Sequence, residues 1–109
     1  MSARPIGAMR HRLMLESPRD VDDGFGGLLR SYAPGPMLWG EIAPARAGER
    51  FVAGRTEWTL THRVTLRMRD DVTPGARLRF GARVFLVHAA QAQDARAERL
   101  VCQCEEIAQ

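Results

Sequence analysis

From Trp58 to Arg69 apolar and polar residues alternate almost without interruption. Trp58, Leu60, Val64, Leu66 and Met68 take the even positions, and Thr59, Thr61, Arg63, Thr65, Arg67 and Arg69 the odd ones. Only His62 puts a polar side chain on the apolar face. A helix has a period of 3.6 and cannot produce this pattern; a strand with period 2 does. The segment is long for one strand, so it is expected to bend or to run beyond its sheet.

The same reading extends along the chain. Residues 11–16 (HRLMLE) alternate with Leu13 and Leu15 on one face, and Ser17-Pro18 is expected to end that strand. Residues 20–27 (DVDDGFGG) are turn chemistry, because Asp-Gly and Gly-Gly supply the backbone conformations that tight turns need. Residues 28–32 then form the return strand of a hairpin, broken by Ala33-Pro34-Gly35-Pro36. A strand carrying Trp39 spans residues 37–42 and closes at Pro44. Val72-Thr73-Pro74-Gly75 makes a turn, residues 77–80 alternate again, and Gly81-Ala82 reverses the chain. The nearly continuous apolar run RVFLVHA at residues 83–89 fits a strand buried on both faces. Residues 100–105 (LVCQCE) form the last strand. Short strands at hairpin spacing predict an all-β fold, a small antiparallel β-barrel or sandwich of six to seven strands.

Two segments stand apart. Residues 1–9 hold Pro5 and Gly7, show no periodicity and read as a flexible arm. Residues 45–56 (ARAGERFVAGRT) carry two glycines, three arginines and one apolar pair, Phe51-Val52, with no core-facing stripe. They read as one long projecting loop, and a loop of that length inside a compact domain is functional or disordered. At 109 residues the chain fits a single domain, 1–109, with one modest core.

Composition adds little and excludes much. The net charge is +3, and arginine supplies every basic side chain. A GC-rich genome accounts for that first; a surface built for bidentate pairing with carboxylates or phosphates accounts for it second. Thirteen interspersed acids make the charge weak evidence for nucleic-acid binding. Cys102 and Cys104 lie two apart on a strand, where disulfide geometry is rarely met, and read as small buried hydrophobes. No secretory signal and no membrane-spanning run is evident, so a soluble protein made in a reducing cytoplasm is expected.

No catalytic constellation emerges. Asp22-Asp23 and Asp70-Asp71 flank turns and are explained by turn initiation. His11, His62 and His88 lack metal-ligand spacing and are read as histidines that face a core and are hydrogen-bonded there. No serine lies in a nucleophile elbow, and Gly24 to Gly27 open no helix. The expectation is a protein without catalytic residues, metal or cofactor. Arg63, Arg67 and Arg69 form a row on the polar face of one strand, which can follow a phosphate backbone or pair with acids of a neighbouring strand or subunit.

The order of these segments resembles a family. It comprises Met9-Arg10-His11-Arg12-Leu13, the DGFGG turn, and Leu38-Trp39-Gly40-Glu41-Ile42-Ala43-Pro44. Gly48-Glu49-Arg50-Phe51 with Ala53-Gly54 follows, then Thr61-His62-Arg63-Val64-Thr65-Leu66-Arg67. The pattern ends with residues 72–78 (VTPGARL) and 81–85 (GARVF). It is similar to phage head–tail joining proteins, also called head-closure or stopper proteins, over roughly Met9 to Glu105. The resemblance implies a β-barrel forming a homo-oligomeric ring in the virion neck of a tailed phage or gene transfer agent. That ring would lie below the portal and its adaptor, dock a tail terminator or tail tube, and help retain packaged DNA. It would assemble in the bacterial cytoplasm, without a membrane. The resemblance also places a channel-gating or docking loop at residues 45–56. Its candidate residues are Arg46, Gly48, Glu49, Arg50, Phe51, Val52, Gly54 and Arg55, with Arg63, Arg67 and Arg69 as further subunit or DNA contacts.

Two alternatives stand beside it. Another neck or tail component of similar size is one, although adaptors of that kind are helical and the alternation at residues 58–69 opposes a helix. A free nucleic-acid-binding barrel of OB type is the other; it needs exposed aromatics on a strand face, and the sequence offers none.

Overall fold

The computed structural model describes residues 9–46, 49–53 and 56–107. Among these described residues eight strands follow one another: β1 (His11–Asp22), β2 (Leu28–Pro44), β3 (Arg50–Ala53), β4 (Thr56–Thr59), β5 (His62–Arg67), β6 (Arg77–Phe80), β7 (Arg83–Ala92) and β8 (Arg99–Ile107). Six of them form a closed antiparallel sheet in the order β1-β2-β5-β8-β7-β6, with β6 returning to β1 through Leu15↔Leu78. The other two, β3 and β4, make a separate hairpin.

Alternation decides what faces inward. Leu13, Leu15, Val64, Leu66, Leu78, Phe85, Val87, Cys102 and Cys104 meet in one buried cluster. Both cysteines are buried and unbridged, as the sequence predicts. Met9 is buried as well, so the chain is already packed at the last residue of the expected arm; residues 1–8 lie outside the described residues. The alternating segment at 58–69 does bend: β4 ends at Thr59 and β5 begins at His62. Thr61 fastens the corner, donating its N–H to the Cys104 carbonyl (3.0 Å) while its hydroxyl accepts the Glu106 N–H (2.6 Å).

Two expectations are corrected. Ser17-Pro18 does not end β1, and residues 33–36 do not break β2. The first two strands run as one long hairpin, paired from His11↔Gly40 out to Asp22↔Leu28. The prolines are tolerated because of where the neighbours stop. β6 pairs with β1 only at residues 14–16, and β5 pairs with β2 only at residues 40–44. Pro18, Pro34 and Pro36 therefore sit where one strand edge needs no donor. Between Met14 and Glu16 the register slips, and two residues of β2 oppose Leu15. At this bulge Gly35 passes so close that an added Cβ would lie 2.6 Å from the Leu15 carbonyl oxygen. Beyond it the hairpin leaves the barrel as a two-stranded arm, consistent with overall dimensions of 52 × 30 × 28 Å.

The second correction concerns residues 45–56. They are not simply a loop: residues 50–53 pair with residues 56–59 in the register Phe51↔Trp58. One ladder pairing is short and polar-rich, which is why its period is hard to see in sequence.

Candidate functional site

The β3–β4 hairpin stands outside the closed sheet and is held to it at two points. At its base, Glu49 accepts hydrogen bonds from the Arg63 guanidinium of β5 and from the Arg46 N–H (3.2 Å). The Leu60 N–H donates to the Glu49 carbonyl at 3.0 Å. The Arg63 guanidinium holds the Glu49 carboxyl below its ordinary range, with the Arg46 N–H adding to the effect. On its flank, buried Trp58 stacks on His88 of β7, centroids 3.7 Å apart, and His88 Nε2 lies 3.1 Å from Glu105 Oε1. His88 occupies a bulge in β7, between Val87↔Cys104 and Ala89↔Gln103, which turns its ring toward the hairpin.

The sequence-predicted residues are thus sorted by the structure. Glu49 faces inward to Arg63, and Arg50 pairs with Glu57 across the hairpin at 2.7 Å. The backbones of Phe51 and Val52 lie in β3; Gly48, Gly54 and Arg55 lie outside the described residues. The arginine row is not a uniform strip. Arg63 is paired with Glu49 and Arg69 with Asp71 (2.8 Å), leaving Arg67 with no carboxylate among the described residues.

Two features were missed in sequence. Trp39 is 55% exposed on the outer face of β2, with the Arg12 guanidinium 5.5 Å from its ring centroid. The expectation of no exposed aromatic on a strand face is therefore corrected. Alternation marked Trp39 as lying opposite Leu38, but an aromatic side chain in an apolar stretch gave no sign of which face was wet. The second feature is the arm, whose base is clamped by Glu16. This nearly buried carboxylate pairs with Arg77 (3.0 Å) and Arg79 (3.2 Å) of β6. Arg77 also lies over the Tyr32 ring at 3.7 Å, and the Tyr32 hydroxyl donates to the Gly75 carbonyl at 3.1 Å.

The three histidines sit apart. His11 meets Phe80 edge-on, His62 lies against Phe85, and His88 stacks on Trp58. Burial lowers the His62 pKa, against the opposing pull of Glu106. Among the described residues no group of three His, Cys, Asp or Glu side chains is arranged to hold a metal ion. Nor, among them, is any helix long and apolar enough to cross a membrane.

Comparison with known proteins follows the same lines. A family model described as phage head completion protein matches residues 4–107. No curated protein gives a significant match. Among solved structures, the fold is similar to a chain of the virion of a native gene transfer agent particle. That chain is 24% identical, with a TM-score of 0.66, covering 92% of this chain and 96% of that one. It is also similar to protein SF1141 from Shigella flexneri 2a, solved in solution, at 24% identity and a TM-score of 0.70, covering 94% and 96%.

Proposed function

Because this chain belongs to the phage head-completion family, and so is a structural component of a tailed-phage-like particle rather than an enzyme, we propose that it forms a homo-oligomeric ring in the particle neck. The ring joins the portal and adaptor on the head side to a tail terminator or tail tube, and helps retain packaged DNA. Assembly precedes release, in the bacterial cytoplasm. The likeness to a chain of a gene transfer agent virion supports particles of that kind as one setting.

One observation carries the reading: the β3–β4 hairpin is a discrete element outside the closed sheet, gripped at its base by Glu49–Arg63 and at its flank by Trp58–His88. An element held by its root and otherwise apart from the barrel suits a projection into a channel or onto a neighbouring ring. Arg46, Gly48, Arg50, Phe51, Val52, Gly54 and Arg55 would supply that contact, and Glu49 would act through the root.

The test is to replace residues 50–57 with a short glycine linker in the producing strain. The barrel should still fold, and the particles should leak DNA or lack tails. Tailed, DNA-filled particles in normal yield would remove the hairpin from this role. Density for a ring below the portal would test the placement independently.

A further inference from the structure

The arm and the barrel carry complementary surfaces that cannot meet within one chain. At the arm's tip Phe25 is 95% exposed, and Leu28 beside it is largely exposed. The tip is rigid. Asp23 Oδ1 accepts the N–H groups of Phe25 (2.7 Å) and Gly27 (3.0 Å), and Asp22 Oδ1 accepts that of Gly24 (2.8 Å). Gly24 and Gly26 take φ of +82° and +84°, which side chains other than glycine rarely adopt. The result is an exposed aromatic side chain on a hydrogen-bonded turn that also carries two carboxylates.

At the other end of the same hairpin the outer barrel face shows the opposite character. A cleft of about 320 Å³ is lined by Met9, Arg10, Trp39 and Arg67, and a second hollow beside it by Met9, Arg67, Glu98 and Arg99. Arg10, Arg12, Arg67 and Arg99 have no carboxylate partner among the described residues; Glu98 is engaged by Arg96 at 3.6 Å. Arg67 and Arg99 are moreover direct cross-strand partners. Like charges placed opposite one another destabilise a sheet unless something anionic lies between them. The apolar floor with a cationic rim fits a ligand that is both apolar and anionic.

We propose that the tip of one copy seats Phe25 in the Trp39 cleft of the next, with Asp22 and Asp23 set against Arg67, Arg99 and Arg10. Arg12 pairs with Trp39 and Asp22 with Leu28 in the same ladder, so tip and cleft lie roughly 30 Å apart along the strands. The contact is therefore between copies and heterologous, the kind that closes into a ring or runs on as a filament. Opposite charges fix its direction. The proposal rests on the ring reading above and names the surfaces that build it. A phosphate backbone would satisfy the arginines but leave Phe25 and the apolar floor uncovered, so a second copy is the better occupant.

The experiment mixes a Leu28→Cys chain with a Met37→Cys chain, which leaves Phe25 and Trp39 in place, and adds a short bis-maleimide, in the concentrated protein and in assembled particles. Both positions are exposed and the native cysteines are buried, so folding and background are controlled. A cross-linked dimer should form in the mixture and not with either variant alone. Arg67→Glu with Arg99→Glu, or Phe25→Ser on a turn that Asp22 and Asp23 still hold, should each weaken self-association about tenfold or more. Assemblies that persist in both variants, with no cross-link, overturn this contact and leave the ring reading standing. A chain monomeric at high concentration and present singly in particles overturns both. Binding of duplex DNA that Arg67→Glu abolishes, again without the cross-link, assigns the cleft to nucleic acid instead.

Discussion

Trp58 and His88 lie face to face, their planes 20° from parallel, and this stack ties the β3–β4 hairpin to the wall of the barrel. Trp58 is 8% exposed although its hairpin lies outside the closed sheet. The stack joins two elements that share no ladder.

Removing the indole should therefore free the hairpin without opening the barrel. For Trp58→Ala we predict rapid proteolytic cleavage between residues 46 and 60 under conditions where the wild type resists. The loss of stability should be about 3 kcal/mol, as for other large buried aromatics. Intact resistance to protease would show that Glu49–Arg63 alone holds the hairpin.

Glu16 answers for the arm. It faces two guanidiniums and, among the described residues, is the one charged residue that is buried. Glu16→Ala leaves Arg77 and Arg79 opposed without an anion, and should lower unfolding stability by about 2 kcal/mol in urea titrations. A change within a few tenths of a kcal/mol would mean that solvent screens the pair.

Acid should loosen the hairpin root. The carboxyls of Glu49, Asp71 and Glu106 are each held below their ordinary values by an arginine: Arg63, Arg69 and Arg83 respectively. A carboxyl depressed in the folded state gives up its proton more readily there than in the unfolded chain. Its stabilising contribution is then complete above the ordinary value, 4.5 for Glu49, and is lost as pH falls through the lower folded value. Glu49→Gln should thus show a shallower fall in urea midpoint between about pH 5 and pH 3 than the wild type. Identical pH profiles would remove Glu49 from the linkage.

The cysteines should be silent in the native protein. Burial pushes the Cys102 thiol up to about 12, and raises that of Cys104 as well, with a contribution from Cys102. Thiolate is the reactive form, so thiol reagents at neutral pH should modify neither residue until denaturant is added. Modification of the folded chain at the rate of a free thiol would place at least one sulfur at the surface.

The period-2 alternation at residues 58–69, the Asp-Gly tip and the buried cysteines were legible in sequence because each is a local property. Neighbours two residues apart share a face whatever the rest of the chain does. The family pattern was legible for a related reason, since it is an order of such local signals. Tertiary structure alone decided the rest. Pro18, Pro34 and Pro36 interrupt nothing because the adjacent strands stop short of them, and no local rule reports where a neighbour ends. Likewise Arg63 and Arg67, alike in sequence, part company because Glu49 lies within reach of one and an equally charged Arg99 lies opposite the other. Trp39 stays wet while Trp58 is covered, because Trp58's own hairpin lays it against His88 of the barrel wall and no strand among the described residues lies over Trp39. The sequence determined which residues share a face within strands such as β5, β6 and β8. Which edges, charges and aromatic rings remain for a partner is a property of distant segments meeting, and only the closed sheet settles it.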